Sequence, residues 1–298
     1  MNRHHPIRCA AWALLRVLLI PAMGMGMTLV ACGSPGPGEV AEPSSAGDPI
    51  VDPVLRLVPR VVATHPHDPT AFTQGLELVD GRLLETTGRY GESGIREVDR
   101  ATGRVLRSAL LDATWFGEGL TSIGDDRAIQ LTWKAGRAVV WDLATLSEVD
   151  VLTYGGQGWG LCGLGETGPD GAAHSLVMSD GSDHLTFRNF DLARSGDIAV
   201  RLDGRPVERL NELECVDGTV WANVWLTDTI VAIDPLTGAV TAVVDASGLL
   251  ADRSTLGDED VLNGIAHDPE TGRFLLTGKR WPVLFEVVFE PVSDEPDG

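Results

Sequence analysis

The chain has 298 residues and carries 43 acidic side chains against 23 Lys and Arg, a formal charge of −20. That excess argues against nucleic acid as a partner and against a polybasic grip on anionic lipid, since phosphate-rich surfaces repel it. Hydrophobic residues make up 43% of the chain, so the roughly 240 residues from Asp52 to Pro291 can close one all-β domain around a sizeable core.

In chain order, the first segment reads as an address. Arg3, Arg8 and Arg16 precede the charge-free stretch Val17–Ala31, which is too short for a comfortable membrane span but suits a secretory signal over residues 1–31. It ends in Leu29-Val30-Ala31-Cys32, which resembles a bacterial lipobox. That implies lipidation of Cys32, export, and attachment to a cell-envelope membrane through the lipid alone; the alternative is ordinary signal cleavage beside a coincidental cysteine. Residues 32–50, rich in Gly, Pro, Ser and Glu, read as a flexible tether. The domain is expected over residues 51–291, with an acidic tail at 292–298.

Within the domain a short unit returns at Gln74-Gly75-Leu76, Glu118-Gly119-Leu120, Trp159-Gly160-Leu161, Asn211-Glu212-Leu213 and Asn263-Gly264-Ile265, in steps of 44, 41, 52 and 52 residues. Such periods mark propellers and solenoids. After each unit comes an apolar run: Leu84–Thr87, Ile129–Thr132, Leu176–Ser179, Val220–Asn223 and Phe274–Thr277. Third strands are expected to close on Asp at Val98-Asp99, Trp141-Asp142, Phe190-Asp191 and Ile233-Asp234, and fourth runs follow, such as Val105–Leu111 and Ala239–Val244. Period-2 alternation between Gly, Asn and Asp breaks predicts antiparallel β throughout. The expected fold is a five-bladed β-propeller of four-stranded antiparallel blades. The fifth repeat lacks a fourth strand, and the run Leu55–Thr64 is expected to supply it, closing the ring and removing an open sheet edge.

Two cysteines fall inside the domain, Cys162 and Cys215, on the first strands of adjacent repeats with opposite parity. A disulfide suits an exported protein, and two buried free thiols suit the spacing equally well.

In an antiparallel sheet the start of strand one and the end of strand two share an edge. Gln74, Glu118, Trp159, Asn211 and Asn263 therefore lie on one face with Arg89, Trp133-Lys134, Asp180, Trp225 and Lys279-Arg280-Trp281. Lys134 and Lys279 are the only lysines and occupy the same repeat position. Phe72 and Phe116 stand two residues before Gln74 and Glu118. One mouth of the ring should then carry a carboxylate, amides, ammonium groups and several aromatic walls. The plainer alternatives are core tryptophans and a structural Glu118–Lys279 ion pair.

The runs Phe72-Thr73-Gln74-Gly75-Leu76, Phe116-Gly117-Glu118-Gly119-Leu120, Gln130-Leu131-Thr132-Trp133, Leu210-Asn211-Glu212-Leu213-Glu214, Leu262-Asn263-Gly264-Ile265 and Thr277-Gly278-Lys279-Arg280-Trp281 strongly resemble the plant and bacterial type of glutaminyl-peptide cyclotransferase. The resemblance spans about residues 57–290. It implies a five-bladed propeller that converts the N-terminal glutamine of peptides or proteins to pyroglutamate and releases ammonia, unlike the zinc-dependent animal type. It places the catalytic set on Glu118, Lys279, Gln74 and Asn211, and the aromatic pocket on Phe72, Phe116, Trp133, Trp159 and Trp225.

Those residue types suit the reaction. Glu118 would move a proton from the attacking α-amine to the leaving nitrogen, and Lys279 with Gln74 would stabilise the oxyanion. Asn211 would hold the substrate amide or amine. No cofactor is required, although a structural divalent cation on the propeller axis is compatible, and a monomer is expected. The alternatives are a non-catalytic propeller that binds peptide or glycan, and a metal-dependent lactonase-like propeller, for which the ring offers few oxygen ligands. Gly158–Gly163 satisfies G-x-G-x-x-G, but a strand rather than a helix follows it, which argues against dinucleotide binding. His67-Asp68-Pro69 and His267-Asp268-Pro269 read as turns.

Overall fold

The structure is a computed structural model that describes residues 53–165 and 176–292. The expected signal segment, Cys32, the tether and residues 293–298 of the tail lie outside the described residues. All regular elements among the described residues are strands.

The domain opens with β1 (Leu55–Pro66). Next come three four-stranded antiparallel sheets. The first comprises β2 (Thr73–Val79), β3 (Arg82–Thr87), β4 (Gly94–Val98) and β5 (Val105–Leu110). The second comprises β6 (Gly117–Gly124), β7 (Arg127–Thr132), β8 (Arg137–Asp142) and β9 (Ser147–Thr153). The third comprises β10 (Leu161–Gly163), β11 (Leu176–Met178), β12 (His184–Arg188) and β13 (Arg194–Ala199). A two-stranded ribbon follows, β14 (Arg201–Leu202) with β15 (Arg205–Pro206). The remaining strands are β16 (Leu210–Val216), β17 (Thr219–Val224), β18 (Thr229–Ile233), β19 (Val240–Asp245), β20 (Leu262–Asp268), β21 (Arg273–Gly278) and β22 (Val283–Pro291). With β1 they form one eight-stranded sheet, ordered β16-β17-β18-β19-β1-β22-β21-β20.

β1 joins the two halves of that sheet. It pairs antiparallel with β22, from Leu57 opposite Pro291 to Pro66 opposite Val283. Its first three residues also pair parallel with Ala242–Val244 of β19. The expected strand at 55–64 is thus present, two residues longer, and hydrogen-bonded to the last strand of the chain.

Local chemistry explains the hairpins. The β2–β3 and β16–β17 turns place Asp80-Gly81 and Asp217-Gly218 at positive φ, the type I′ pattern that matches strand twist. Between third and fourth strands, the recurring aspartates accept backbone N–H groups two or three residues ahead: Asp99 from Ala101, Asp142 from Thr145, Asp191 from Ala193 and Asp234 from Leu236. These are Asx turns. The third sheet departs from the expected register, because β12 ends at Arg188 and Phe190-Asp191 sit in the turn, with Phe190 exposed.

First strands contact one another in succession: β2 with β6, β6 with β10, β10 with β16, β16 with β20, and β20 with β2. The small residue of the repeat permits that approach. A Cβ on Gly160 would lie 2.1 Å from the Asn211 carbonyl, and one on Gly119 would lie 2.7 Å from that of Trp159. In the fourth repeat Glu212 stands at this position. Its buried carboxylate accepts the Ile265 N–H at 2.8 Å and the Leu76 N–H at 3.3 Å, bridging three strands. Apolar side chains pack between neighbouring sets, for example Leu84, Leu120 and Val139, or Leu213, Val220 and Val231. Full burial of each such side chain contributes about 1.5–3 kcal/mol. Cys162 and Cys215 form a disulfide with Cα atoms 5.5 Å apart, tying β10 to β16.

Candidate active site

Four of the five leading residues sit on β-bulges. Register skips occur between Thr73 and Gly75, Gly117 and Leu120, Leu210 and Leu213, and Leu262 and Ile265. Gln74, Glu118, Asn211 and Asn263 are therefore the extra residues, and a bulge re-aims a side chain out of the sheet alternation. All four are buried.

A cavity of about 310 Å³ opens at this edge. All nine side chains expected from the sequence line it: Glu118, Lys279, Gln74 and Asn211 with Phe72, Phe116, Trp133, Trp159 and Trp225. Arg89, Tyr90 and Glu259 complete the lining. The aromatic rings brace each other edge-on. Trp159 meets Trp225 at 5.4 Å and 89°, Phe116 meets Trp133 at 5.7 Å, and Phe72 meets Phe116 at 6.2 Å. The Lys279 ammonium lies 4.9 Å from the Phe72 ring centre, and the Arg89 guanidinium covers the same ring at 4.0 Å. Arg89 has φ 107°, a costly conformation for a side-chain-bearing residue and one that clusters at functional sites. It meets Glu259, another lining residue, at 3.4 Å.

The electrostatics are those of a dry pocket. Glu118 is 4% exposed, and its Oε2 is buried without a hydrogen-bond partner. Burial pushes the Glu118 carboxyl well above its ordinary value, more than the Lys279 charge pulls it down. Burial likewise pushes Lys279 down to about 8, against the pull of Glu118 and Glu259. The Asn211 Oδ1 is also buried and unpartnered. Unpaired buried polar atoms are costly, and here they face a space sized for a small polar guest. Among the described residues, no group of three or more His, Cys, Asp or Glu is placed to hold a metal ion.

Other residues on the same edge lie elsewhere. Trp281 is fully buried, its Nε1 donating to the Asp260 carbonyl at 3.0 Å, so it belongs to the core. Lys134 stacks on Trp133 at 3.6 Å outside the cavity lining. Asp180 lines a separate groove with His184 and Arg188. Asp68 makes the expected turn by accepting from Thr70. His67 is buried and joins Glu85 at 3.1 Å to the Trp281 carbonyl at 2.6 Å.

A protein-family model described as glutamine cyclotransferase matches residues 38–289. The glutaminyl-peptide cyclotransferase of Arabidopsis thaliana is 39% identical over 239 residues, 78% of this chain and 72% of that protein. The crystal structure of Myxococcus xanthus glutaminyl cyclase superposes with a TM-score of 0.74 at 38% identity, covering 81% of this chain and 100% of that one. With its aromatic cavity and a buried glutamate in the lining, this chain belongs to the glutamine cyclotransferase family.

Proposed function

We propose that this protein is a glutaminyl-peptide cyclotransferase: it closes the N-terminal glutamine of a peptide or protein to pyroglutamate and releases ammonia. The observation that carries the chemistry is the buried Glu118 carboxyl, whose Oε2 has no hydrogen-bond partner, in the lining of an aromatic cavity that also holds Lys279, Gln74 and Asn211. The fold we infer is a five-bladed propeller spanning residues 51–291. Its support is the circuit of first-strand contacts that returns from β20 to β2, with β1 serving as the outer strand of the last blade through its pairing with β22.

In the reaction, the neutral α-amine attacks the side-chain carboxamide carbon and an oxyanion forms. Glu118 as carboxylate takes one proton from the attacking nitrogen and returns it to the departing nitrogen, which leaves as ammonia when the carbonyl re-forms. Its raised pKa makes it a stronger base and then a competent acid near neutral pH. Lys279 is still charged near neutral pH and, with Gln74, stabilises the oxyanion. Asn211 holds the substrate through its free Oδ1, an acceptor matched to the α-amine. The aromatic walls restrict the glutamine side chain to folded conformers, and orientation is a large part of any ring closure. The donor set of one carboxylate, two amides and an ammonium is poor for a divalent cation, which favours a metal-independent route.

The test is ammonia release, with the matching mass loss, from a Gln-initiated peptide with residues 50–298, before and after chelation. Turnover that survives the chelator and collapses in Glu118→Gln is expected; a folded enzyme no faster than spontaneous cyclisation would leave a peptide-binding module instead. For the N-terminus, the Leu29–Cys32 sequence supports an exported, lipid-anchored protein with residues 1–31 as signal and 32–50 as tether. Cys32→Ser should release the protein from the membrane fraction; continued membrane association would overturn that reading.

A further inference from the structure

Asn263 is the one leading residue of the ring that does not reach the cavity wall, yet it is fully buried and hydrogen-bonded to one that does. Its Nδ2 donates to the Thr73 carbonyl at 3.0 Å and to Gln74 Oε1 at 3.2 Å. A backbone carbonyl only accepts, so the Thr73 contact identifies that end of the Asn263 amide as nitrogen. The same nitrogen then requires an oxygen from Gln74. The Gln74 Nε2 is left as the end of the carboxamide available to the cavity.

We propose that Asn263 is a positioning residue that fixes which end of Gln74 faces the reacting atoms, making Gln74 a hydrogen-bond donor in the cavity. This rests on the cyclotransferase reading, in which negative charge develops on the substrate carboxamide oxygen. A donor aimed there stabilises the transition state, whereas a flipped amide would present an oxygen and repel it. An unconstrained carboxamide samples both orientations. Asn263 removes the wrong one through an anchor that is itself held. Thr73 donates its hydroxyl to Glu85 at 2.7 Å. On the other side of Asn263, the Gly264 N–H goes to Asn223 Oδ1 at 3.0 Å and the Ile265 N–H to Glu212 Oε2 at 2.8 Å. The bulge that carries Asn263 is thus clamped from β16 and β17 while its side chain reaches across to β2.

Two variants and a cycle test this with steady-state kinetics on a Gln-initiated peptide. Gln74→Glu keeps the size of the side chain and the oxygen that Asn263 needs, but puts an oxygen where Nε2 was. Its kcat should fall about 100-fold with KM changed less than about threefold, the scale of one lost oxyanion donor. Asn263→Ala should lower kcat roughly tenfold in the wild-type background. In a Gln74→Ala background the same change should cost less than about twofold, because residues that act through one another are not additive. A Gln74→Glu enzyme with near wild-type kcat would overturn the inference, as would an Asn263→Ala loss that multiplies undiminished onto Gln74→Ala. Should Asn263→Ala fail to fold, Gln74→Glu decides alone. No turnover by the wild-type protein would overturn the cyclotransferase reading and this inference with it, a result distinct from an active enzyme that ignores Gln74→Glu.

Discussion

Glu85 and Glu118 are both buried carboxylates at 0% and 4% exposure, on neighbouring sheets, and their surroundings drive them in opposite directions. Burial raises Glu85 too, but His67 and Arg96 on either side and the Thr73 hydroxyl more than offset it, and Glu85 is held down at about 2. Arg96 meets it at 2.7 Å and also meets Asp68 at 2.8 Å. For His67, burial opposes the charged imidazole, yet the charge and hydrogen bond of Glu85 leave it above its ordinary value. Glu118 has only Lys279 to offset the same burial, and stays protonated well above the usual carboxylate range. A charge whose every lone pair is engaged is part of the scaffold. A charge left short of partners in a dry cavity retains its capacity to move protons.

That contrast can be broken most severely at Glu118. Glu118→Gln should lower kcat by about 10³-fold, within the range general acid–base catalysis supplies, measured as ammonia release from a Gln-initiated peptide. Its stability at pH 7 should not fall, because the substitution removes a buried carboxyl whose ionised form is unfavourable. Activity within tenfold of wild type would end the proton-shuttle role. Glu85→Gln should do the reverse. It takes the buried carboxylate away from both His67 and Arg96 and leaves Arg96 with Asp68 alone, a loss of about 3 kcal/mol by denaturant unfolding, while kcat per folded molecule stays within a few-fold. The sign with pH follows from the depressed value. Glu85 stabilises fully above its unfolded pKa, near 4.3, and the contribution is lost as pH falls toward about 2. Wild type and variant should therefore converge in acid, and a constant stability gap down to pH 2 would contradict the pairing.

Much of the site was legible because it sits on the repeat. Gln74, Glu118 and Asn211 begin first strands and Trp159 just precedes one, Trp133, Trp225 and Lys279 follow second strands, and antiparallel pairing brings both sets to one edge regardless of twist. What escaped lies off that register. Tyr90 and Glu259 come from connections whose length and path no periodicity fixes, although Arg89 beside Tyr90 did fall on the expected edge. Trp281 occupies a repeat position, but its indole turns inward because Asp260 offers a buried carbonyl. The repeat's closing Asp places the end of a third strand at Phe190-Asp191, while Asn189 and Asp191 turn the backbone first. The ribbon β14–β15 is flagged only by Asp203-Gly204, too short a signal to separate from a loop. Side-chain parity allowed a Cys162–Cys215 bridge without requiring one; the close approach of β10 and β16 at Gly160 brings the two backbones into range.

The subtlest way to sharpen the comparison uses pH alone. If Lys279 acts as a cation, kcat must fall as pH rises through its value of about 8, because the neutral amine no longer stabilises the oxyanion. The acid limb has the opposite origin: kcat rises with pH as Glu118 and the bound α-amine release a proton between them. The profile at saturating substrate should be bell-shaped. Lys279→Arg separates the limbs, since a guanidinium stays charged throughout. After normalisation to its own maximum, the variant's alkaline limb should move up by about one pH unit or more, with the acid limb moving much less. An alkaline limb that stays in place would assign it to another group and leave Lys279 as a packing partner of Phe72. The Glu85 carboxylate supplies the control, because it is held ionised across this range and does not line the cavity. Glu85→Gln should reduce the amount of folded enzyme and leave the shape of the bell unchanged.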